Sequence, residues 1–214
     1  MKRVLLFIAL VPACFGFNRV PEKLSAGDFS VTLKTDDTWS AEVFDKKGRI
    51  VYRTVDRDAA IELSVIRIVL PADAALADGS EIAKSIVWKD AFKFKKAIFN
   101  HAFSLPPKAT IVKCPLGTAY VYAPEQPVFI DPTPHFARVA LVLPSHYKAS
   151  LVAYLVVGHQ AGSYSIDPEQ NEYFDAIVQG VQDSKDNKSL EVTLGSATPA
   201  ANAPVAPPPG VSHF

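Results

Sequence analysis

Five histidines are the side chains in this sequence best suited to metal binding or acid–base chemistry: His101, His135, His146, His159 and His213. None of them forms the i, i+4 pair or the His-x-His pair that places two imidazoles on one metal ion. His146 falls in a predicted turn, and His159 falls at the far end of the strand that follows, roughly 30 Å away at ~3.3 Å per residue. We therefore expect these two not to share a site, and we predict no metal ligands.

The two cysteines, Cys14 and Cys114, are too few for a disulfide framework or a four-cysteine zinc site. Cys114 ends a predicted strand beside Pro115, without the helix N-terminus or the neighbouring histidine that would lower the pKa of a catalytic thiol. We predict an inert, partly buried side chain there. A Cys14–Cys114 disulfide would require cleavage of the chain after Ala13 without lipidation.

The motifs of common enzyme classes are missing from the chain. No serine stands in a Gly-x-Ser-x-Gly setting, and no stretch approaches Gly-x-Gly-x-x-Gly or ends in Gly-Lys-Ser/Thr. Neighbouring carboxylates occur at Asp36-Asp37 and at Asp56-Arg57-Asp58, but both groups fall in predicted turns, where solvated side chains are the ordinary outcome. We predict no catalytic residue and no cofactor-binding residue.

The N-terminus carries the clearest functional signal. Met1-Lys2-Arg3 is a basic segment, and residues 4–11 form an uninterrupted apolar run. As a helix this run would span ~12 Å, far less than the ~30 Å hydrocarbon core of a bilayer, so it is too short for a transmembrane anchor. This order is typical of a secretory signal peptide, and we expect the protein to be exported.

Two cleavage sites fit this signal. Val11-Pro12-Ala13-Cys14 resembles a bacterial lipoprotein box, which would make Cys14 the lipidated first residue of a membrane-anchored mature chain in the periplasm. Cys14-Phe15-Gly16 alternatively reads as a small-x-small site, which would release a soluble secreted protein. We favour lipidation at Cys14, although Pro12 departs from the usual lipoprotein pattern.

Composition excludes several further classes. Of 214 residues, 49% are hydrophobic and 21% are charged, a balance that suits a globular chain and neither a disordered nor a polybasic one. Lys and Arg number 22, as do Asp and Glu, and removal of Lys2 and Arg3 with the signal leaves 20 basic against 22 acidic residues. We therefore predict no binding to nucleic acid.

Hydrophobic patterning predicts a sheet-rich domain. Apolar–polar alternation and turn residues predict short strands at 29–33, 40–44, 49–54, 61–70, 109–114, 118–123 and 128–130. The runs 136–143 and 149–158 are nearly continuously apolar, so we place these two strands at the centre with both faces covered.

Two segments have helix start signals. Asp78 stands three residues before Glu81 in a capping-box-like start, and Asp167-Pro168-Glu169 combines an N-cap with proline at the first helical position. We predict an α+β fold: an antiparallel sheet with two main helices packed on it. The predicted parts are a signal peptide (1–13 or 1–16), a spacer (17–25), one domain (26–194) and a disordered Pro/Ala-rich tail (195–214).

Two segments carry a resemblance to a known family. Asp28-Phe29-Ser30-Val31 followed by Trp39 is similar to the opening strand of the PsbP-like fold group, although 35–38 lacks that group's usual proline. A long apolar strand at 149–158 leading to Tyr173-Phe174-Asp175-Ala176-Ile177 resembles its C-terminal half. The resemblance covers about 26–183 and implies a non-enzymatic accessory module of the cell envelope.

Two function classes follow. The first is an exported envelope binding or accessory protein without catalytic activity, which would contact a protein partner through the loop at 124–134 or the tail. The alternative is a small secreted or periplasmic hydrolase. Trp39 and Phe174 are predicted to be core residues and not site residues, because the alternation and the helical stripe point both inward.

Overall fold

The computed structural model describes residues 22–36, 38–54, 60–87, 108–123 and 126–183. These residues form eleven strands and three α-helices. The strands are β1 (Lys23–Ala26), β2 (Phe29–Thr32), β3 (Trp39–Phe44), β4 (Arg49–Thr54), β5 (Ala60–Val69), β6 (Thr110–Cys114), β7 (Gly117–Tyr122), β8 (Val128–Ile130), β9 (Thr133–Pro144), β10 (Val152–Ala161) and β11 (Val181–Asp183). The helices are α1 (Gly79–Ile86), α2 (Tyr147–Ser150) and α3 (Pro168–Gly180).

Eight of these strands form one antiparallel sheet. Its order is β3-β4-β5-β10-β9-β7-β6, with the short β8 also paired to β9. The expected hairpins are confirmed: β3 and β4 flank a short 3₁₀ turn that ends at Gly48, and β6 and β7 flank Pro115-Leu116. Gly48 has φ 55°, a left-handed conformation that glycine adopts without steric cost.

The two most apolar strands lie at the centre of the sheet, as predicted. β10 pairs with β5 on one side and with β9 on the other, and its residues 152–160 are all buried. Because successive side chains point to opposite faces, a strand covered on both faces needs apolar residues at nearly every position. One boundary differs from the prediction: Ala149 lies in α2, and Leu151 turns the chain into β10 with φ 52°.

A second, three-stranded sheet was not foreseen. Its order is β1-β2-β11, and all its pairings are antiparallel. The sequence predicts a spacer up to residue 25, whereas β1 begins at Lys23 and pairs with β2 through the turn at Gly27. β1 is held in the domain by its pairing with β2 and by burial of Ala26, with Leu24 packed against the same core.

Helices and the small sheet cover the two faces of the main sheet. One face packs against the small sheet and α3, in a core that includes Phe29, Trp39 and Phe174. The other face packs against α1, with Ile82 and Ile86 in its core. These layers position the candidate site at one edge of the first face.

The α+β class with a mostly antiparallel sheet is confirmed, and the sheet dominates. α1 starts at the predicted cap, since the Asp78 carboxylate accepts from the Ser80 N–H at 2.8 Å. Hydrogen bonds from the Ser80 side chain and from its backbone N–H lower the pKa of Asp78. α3 starts at Asp167 as predicted. The remainder of the first predicted helix, beyond residue 87, lies outside the described residues, as do the signal peptide and the tail. No helix in the described ranges is long and apolar enough to span a bilayer.

Candidate functional site

A cleft of about 440 Å³ opens between the β6–β7 edge of the main sheet and α3. Its volume falls within the range of small-molecule sites, about 300–1,000 Å³. Apolar and polar side chains share the lining, which consists of Lys108, Thr110, Val112, Val121, Ala123, Arg138, Asp175, Val178 and Gln179. Five of these nine side chains are polar and can orient a ligand, and the other four supply apolar contact.

Arg138 is the central polar residue of this cleft. It stands in β9 opposite Gly158 of β10 and points to the α3 face, with its side chain 14% exposed. Its Nη1 donates to the Asn171 side-chain oxygen at 2.9 Å, and its Nη2 donates to Asp175 Oδ1 at 3.2 Å. The guanidinium carbon also lies 4.5 Å from the centroid of the Phe174 ring. Three residues of one helix therefore fix the direction of this cation.

The packing of α3 depends on a missing side chain in β10. Phe174 is fully buried, and a Cβ placed on Gly158 would lie 2.8 Å from its ring. Gly158 thus lets the ring sit directly against the sheet. This close approach brings Asn171 and Asp175 of the same helix within reach of Arg138.

The opposite rim of the cleft belongs to the edge hairpin. Lys108 precedes β6, Thr110 begins it, and Ala123 follows the end of β7. Gln179 of α3 closes the end of the cleft next to Lys113, since its Nε2 donates to the Lys113 carbonyl at 3.3 Å. Val112 and Val121 face the cleft between these points, so its wall is apolar while both rims are polar.

Two histidines meet on the other face of the sheet. His135 Nδ1 lies 3.0 Å from His159 Nε2, and the two rings stack at 18°. Antiparallel pairing of β9 and β10 places His159 opposite Ala137, one pleat from His135 on the same face. The sequence analysis weighed His146 as the neighbour of His159 and did not identify His135. The register of two paired strands decides which side chains meet, and the sequence does not state that register.

Charged residues continue from this pair across the same face. The Arg53 guanidinium contacts Glu42 at 3.2 Å and Glu62 at 3.1 Å, and Glu62 stands opposite His159 in the register. Arg49 lies 3.9 Å from Glu62, and burial lowers the pKa of its guanidinium while Glu62 opposes that effect. Alternating signs on neighbouring strands make this row a set of cross-strand ion pairs.

His146 has a different partner, at the opposite end of the sheet. The buried Asp183 carboxylate accepts from the Tyr154 hydroxyl at 3.0 Å, and His146 Nε2 lies 3.6 Å from the same oxygen. A buried carboxylate is stable only with such partners. The structure therefore confirms that His146 and His159 belong to different sites.

The remaining predicted residues take ordinary positions. Trp39 and Phe174 are core residues, with exposures of 1% and 0%, as predicted. Cys114 is a half-buried free thiol. Asp36 caps its own turn by accepting from the Thr38 N–H. The other members of the acidic groups, and Cys14, lie outside the described residues. Within the described ranges, no cluster of three or more His, Cys, Asp or Glu side chains could hold a metal ion.

Sequence analysis did not identify Arg138, although one signal was available. The run 136–143 is apolar except for this one arginine. A charged residue inside a strand predicted to be covered on both faces needs partners or a water-filled cleft. Its partners come from a helix 33 and 37 residues further along the chain, which no local pattern connects to it.

Comparison with known proteins gives little further information. No protein-family description matches the chain, and no curated protein matches it. One similar solved structure is a crystal structure from Bacteroides thetaiotaomicron VPI-5482, with 11% sequence identity and a TM-score of 0.45. The match covers 78% of this chain and 49% of that one, so this chain spans about half the length of that protein.

Proposed function

We propose that this protein is an exported binding or accessory protein of the cell envelope, and that the cleft beside Arg138 holds its small ligand. The observation that carries the proposal is the cleft itself, in which Asn171, Asp175 and Phe174 fix a partly buried guanidinium against an apolar wall. A cation held in this way is preorganised for an anionic or polar ligand.

The side chains around the cleft favour binding over hydrolysis. A hydrolase needs a nucleophile within hydrogen-bond reach of a base. The described lining residues include no serine, cysteine or histidine. The polar groups that line the cleft, an arginine, a lysine, a threonine, an aspartate and a glutamine, are those of a recognition site. This chemistry supports the binding protein over the alternative, a small periplasmic or secreted hydrolase.

The proposed location in the cell envelope rests on the N-terminal signal. Cleavage at Ala13 would leave a lipidated Cys14, and the segment up to β1 at Lys23 would serve as a short tether to the membrane. The same proposal includes the resemblance to the PsbP-like fold group. It also includes the two main helices predicted from the sequence, the first of which begins with α1 while the second is α3. A protein partner in the envelope would then meet the domain close to the bilayer surface.

Native mass spectrometry of the mature protein, purified gently from its own host, tests the ligand cleft. Ala123→Trp places an indole into the cleft from an exposed position at the end of β7. We expect a co-purifying small mass in the wild type and in the control Lys113→Gln, and its loss in Ala123→Trp. A mass that survives Ala123→Trp would contradict the assignment of this cleft.

Cell fractionation tests the anchor. Wild type is compared with Cys14→Ser, and the intact mass of each mature N-terminus is measured. We expect a membrane-bound chain that begins at lipidated Cys14, and release or failed processing of the variant. A mature chain that begins at Phe17 and is soluble in both cases would rule out the anchor and leave a secreted protein.

A further inference from the structure

The charges that line the cleft do not cancel. Arg138 and Asp175 form an ion pair at 3.2 Å, which neutralises both. Lys108 lies on the opposite rim and is exposed, and no ion pair joins it to another described residue. Among the lining residues that the structure describes, one positive charge is therefore left over, and a ligand complementary to these residues carries one negative charge.

The guanidinium of Arg138 retains donors for such a ligand. Of its five N–H groups, the two on Nη1 face the two Asn171 oxygens and one on Nη2 faces Asp175, which leaves two, on Nε and Nη2. Because α3 holds the group in one orientation, the remaining donors are available without further ordering. A planar carboxylate matches this donor geometry, whereas a dianion would meet the neighbouring Asp175 carboxylate.

The wall between the two cations is apolar. Val112 and Val121 belong to the sheet and Val178 to α3, and all three line the cavity. Branched side chains at these points favour an aliphatic group of the ligand over a sugar or a second charged group. A cavity of about 440 Å³ suits a small organic acid better than a polymer.

We infer that the ligand of this cleft is a small monoanion with one carboxylate and one aliphatic group. This inference rests on the ligand cleft proposed above. The ligand would be about the size of an N-acylated amino acid. The carboxylate lies between Arg138 and Lys108. The aliphatic group packs on Val112, Val121 and Val178.

Four probes of nearly equal size test the charge. N-acetyl-L-leucine is a monoanion, L-leucine a zwitterion, N-acetyl-L-leucinamide neutral and L-leucinamide a cation. Isothermal titration of the full mature chain is expected to rank N-acetyl-L-leucine first, about tenfold or more tighter than N-acetyl-L-leucinamide, the scale of one charge-assisted hydrogen bond. Acetate, which lacks the aliphatic group, is expected to bind more weakly than N-acetyl-L-leucine.

Lys108→Gln is the principal variant, because this exposed side chain lies outside the core. We expect it to weaken N-acetyl-L-leucine binding and to leave N-acetyl-L-leucinamide binding unchanged. Lys113→Gln is the matched control, since this exposed lysine is five residues further along, in β6, but outside the cleft lining, and should change neither affinity. Arg138→Gln should abolish the preference for the anion, with its folding checked by circular dichroism because it also loses the bonds to α3.

Equal affinity for N-acetyl-L-leucine and its amide, or equal effects of Lys108→Gln and Lys113→Gln, would overturn the inference about charge. The proposed cleft survives that outcome if Ala123→Trp still abolishes binding. If none of the probes binds but a co-purifying mass depends on the open cleft, the ligand class is wrong and the proposed function stands. Binding that Ala123→Trp leaves intact would overturn the cleft itself.

Discussion

Single residues show how this domain accommodates polar groups inside an apolar sheet. Arg138 is accommodated in an apolar strand because its guanidinium donates to two side-chain oxygens of α3 and packs on the Phe174 ring. Tyr154 is accommodated in the central strand because its hydroxyl donates a hydrogen bond to the buried Asp183 carboxylate. Tyr52 has no such partner: burial raises the pKa of its phenol, and its hydroxyl makes no hydrogen bond with the described residues. These contrasts allow matched experiments.

Tyr154→Phe should destabilise the domain by about 1–3 kcal/mol, because it removes a hydrogen-bond donor from a buried carboxylate. Tyr52→Phe is the control, since its hydroxyl is buried and unpaired in the described structure. Removal of that hydroxyl should be neutral or stabilising. Urea denaturation measures both free energies of unfolding. Equal losses in the two variants would mean that the bond to Asp183 contributes nothing specific.

Phe174→Ala should cost about 3–5 kcal/mol, because it empties a fully buried site between α3 and Gly158. Phe129→Ala, at a residue that is 57% exposed, removes the same number of atoms and should cost little. Chemical denaturation of both variants measures the difference. A stable Phe174→Ala protein with a defect only in ligand binding would show that this residue belongs to the site and not to the core.

At the scale of elements, the end of α3 depends on close backbone contact. A Cβ on Gly180 would lie 2.3 Å from the Thr32 carbonyl oxygen of β2. The chain then enters β11 directly, and Val181 pairs with Val31. Helix and small sheet are therefore joined without a loop, and this junction fixes how α3 lies over the cleft.

Gly180→Ala tests this junction. Alanine is the better helix former, by roughly 0.5–1 kcal/mol, but the clash with backbone cannot be relieved by a side-chain rotation. We expect net destabilisation of about 1–3 kcal/mol, the usual scale for overpacking. Glu172→Ala, at an exposed position of the same helix, should stay within about 0.5 kcal/mol of wild type. A Gly180→Ala variant more stable than wild type would show that propensity outweighs the contact.

For the whole molecule, the sheet and its two covering layers form the folding unit. β11 is its last described strand, and both Val181 and Asp183 are buried in it. The tail from Gly195 has five prolines, five alanines and no charged side chain, so it has little to bury against this unit. The two segments differ in what their removal should do.

A chain that ends at Leu194 should keep the melting temperature of the full mature chain, because the composition of the tail offers few large apolar side chains for packing. A chain that ends at Gly180 should melt at a clearly lower temperature, since it loses β11 and the carboxylate of Asp183. Thermal denaturation followed by circular dichroism compares the three. A loss of several degrees on removal of the tail alone would show that it packs on the domain.

The amino-acid sequence by itself determined the local elements. Alternation of apolar and polar residues and turn signals located β2 to β8, the continuous apolar runs identified β9 and β10 as central, and Asp78 and Asp167 marked the starts of α1 and α3. Each of these signals acts within a few residues, because side-chain periodicity and helix capping are local effects. Burial of Trp39 and Phe174 followed from the same periodicity.

Tertiary structure alone decided which distant residues meet. The pairing of His135 with His159 follows from the register of β9 and β10, and the setting of Arg138 follows from the way α3 packs over Gly158. β1 and β11, only four and three residues long, each pair with β2, and they bury Ala26 and Val181 in the core. Such contacts join residues that are far apart in the chain, and their energy comes from pairing and packing that leave no periodic trace in the sequence.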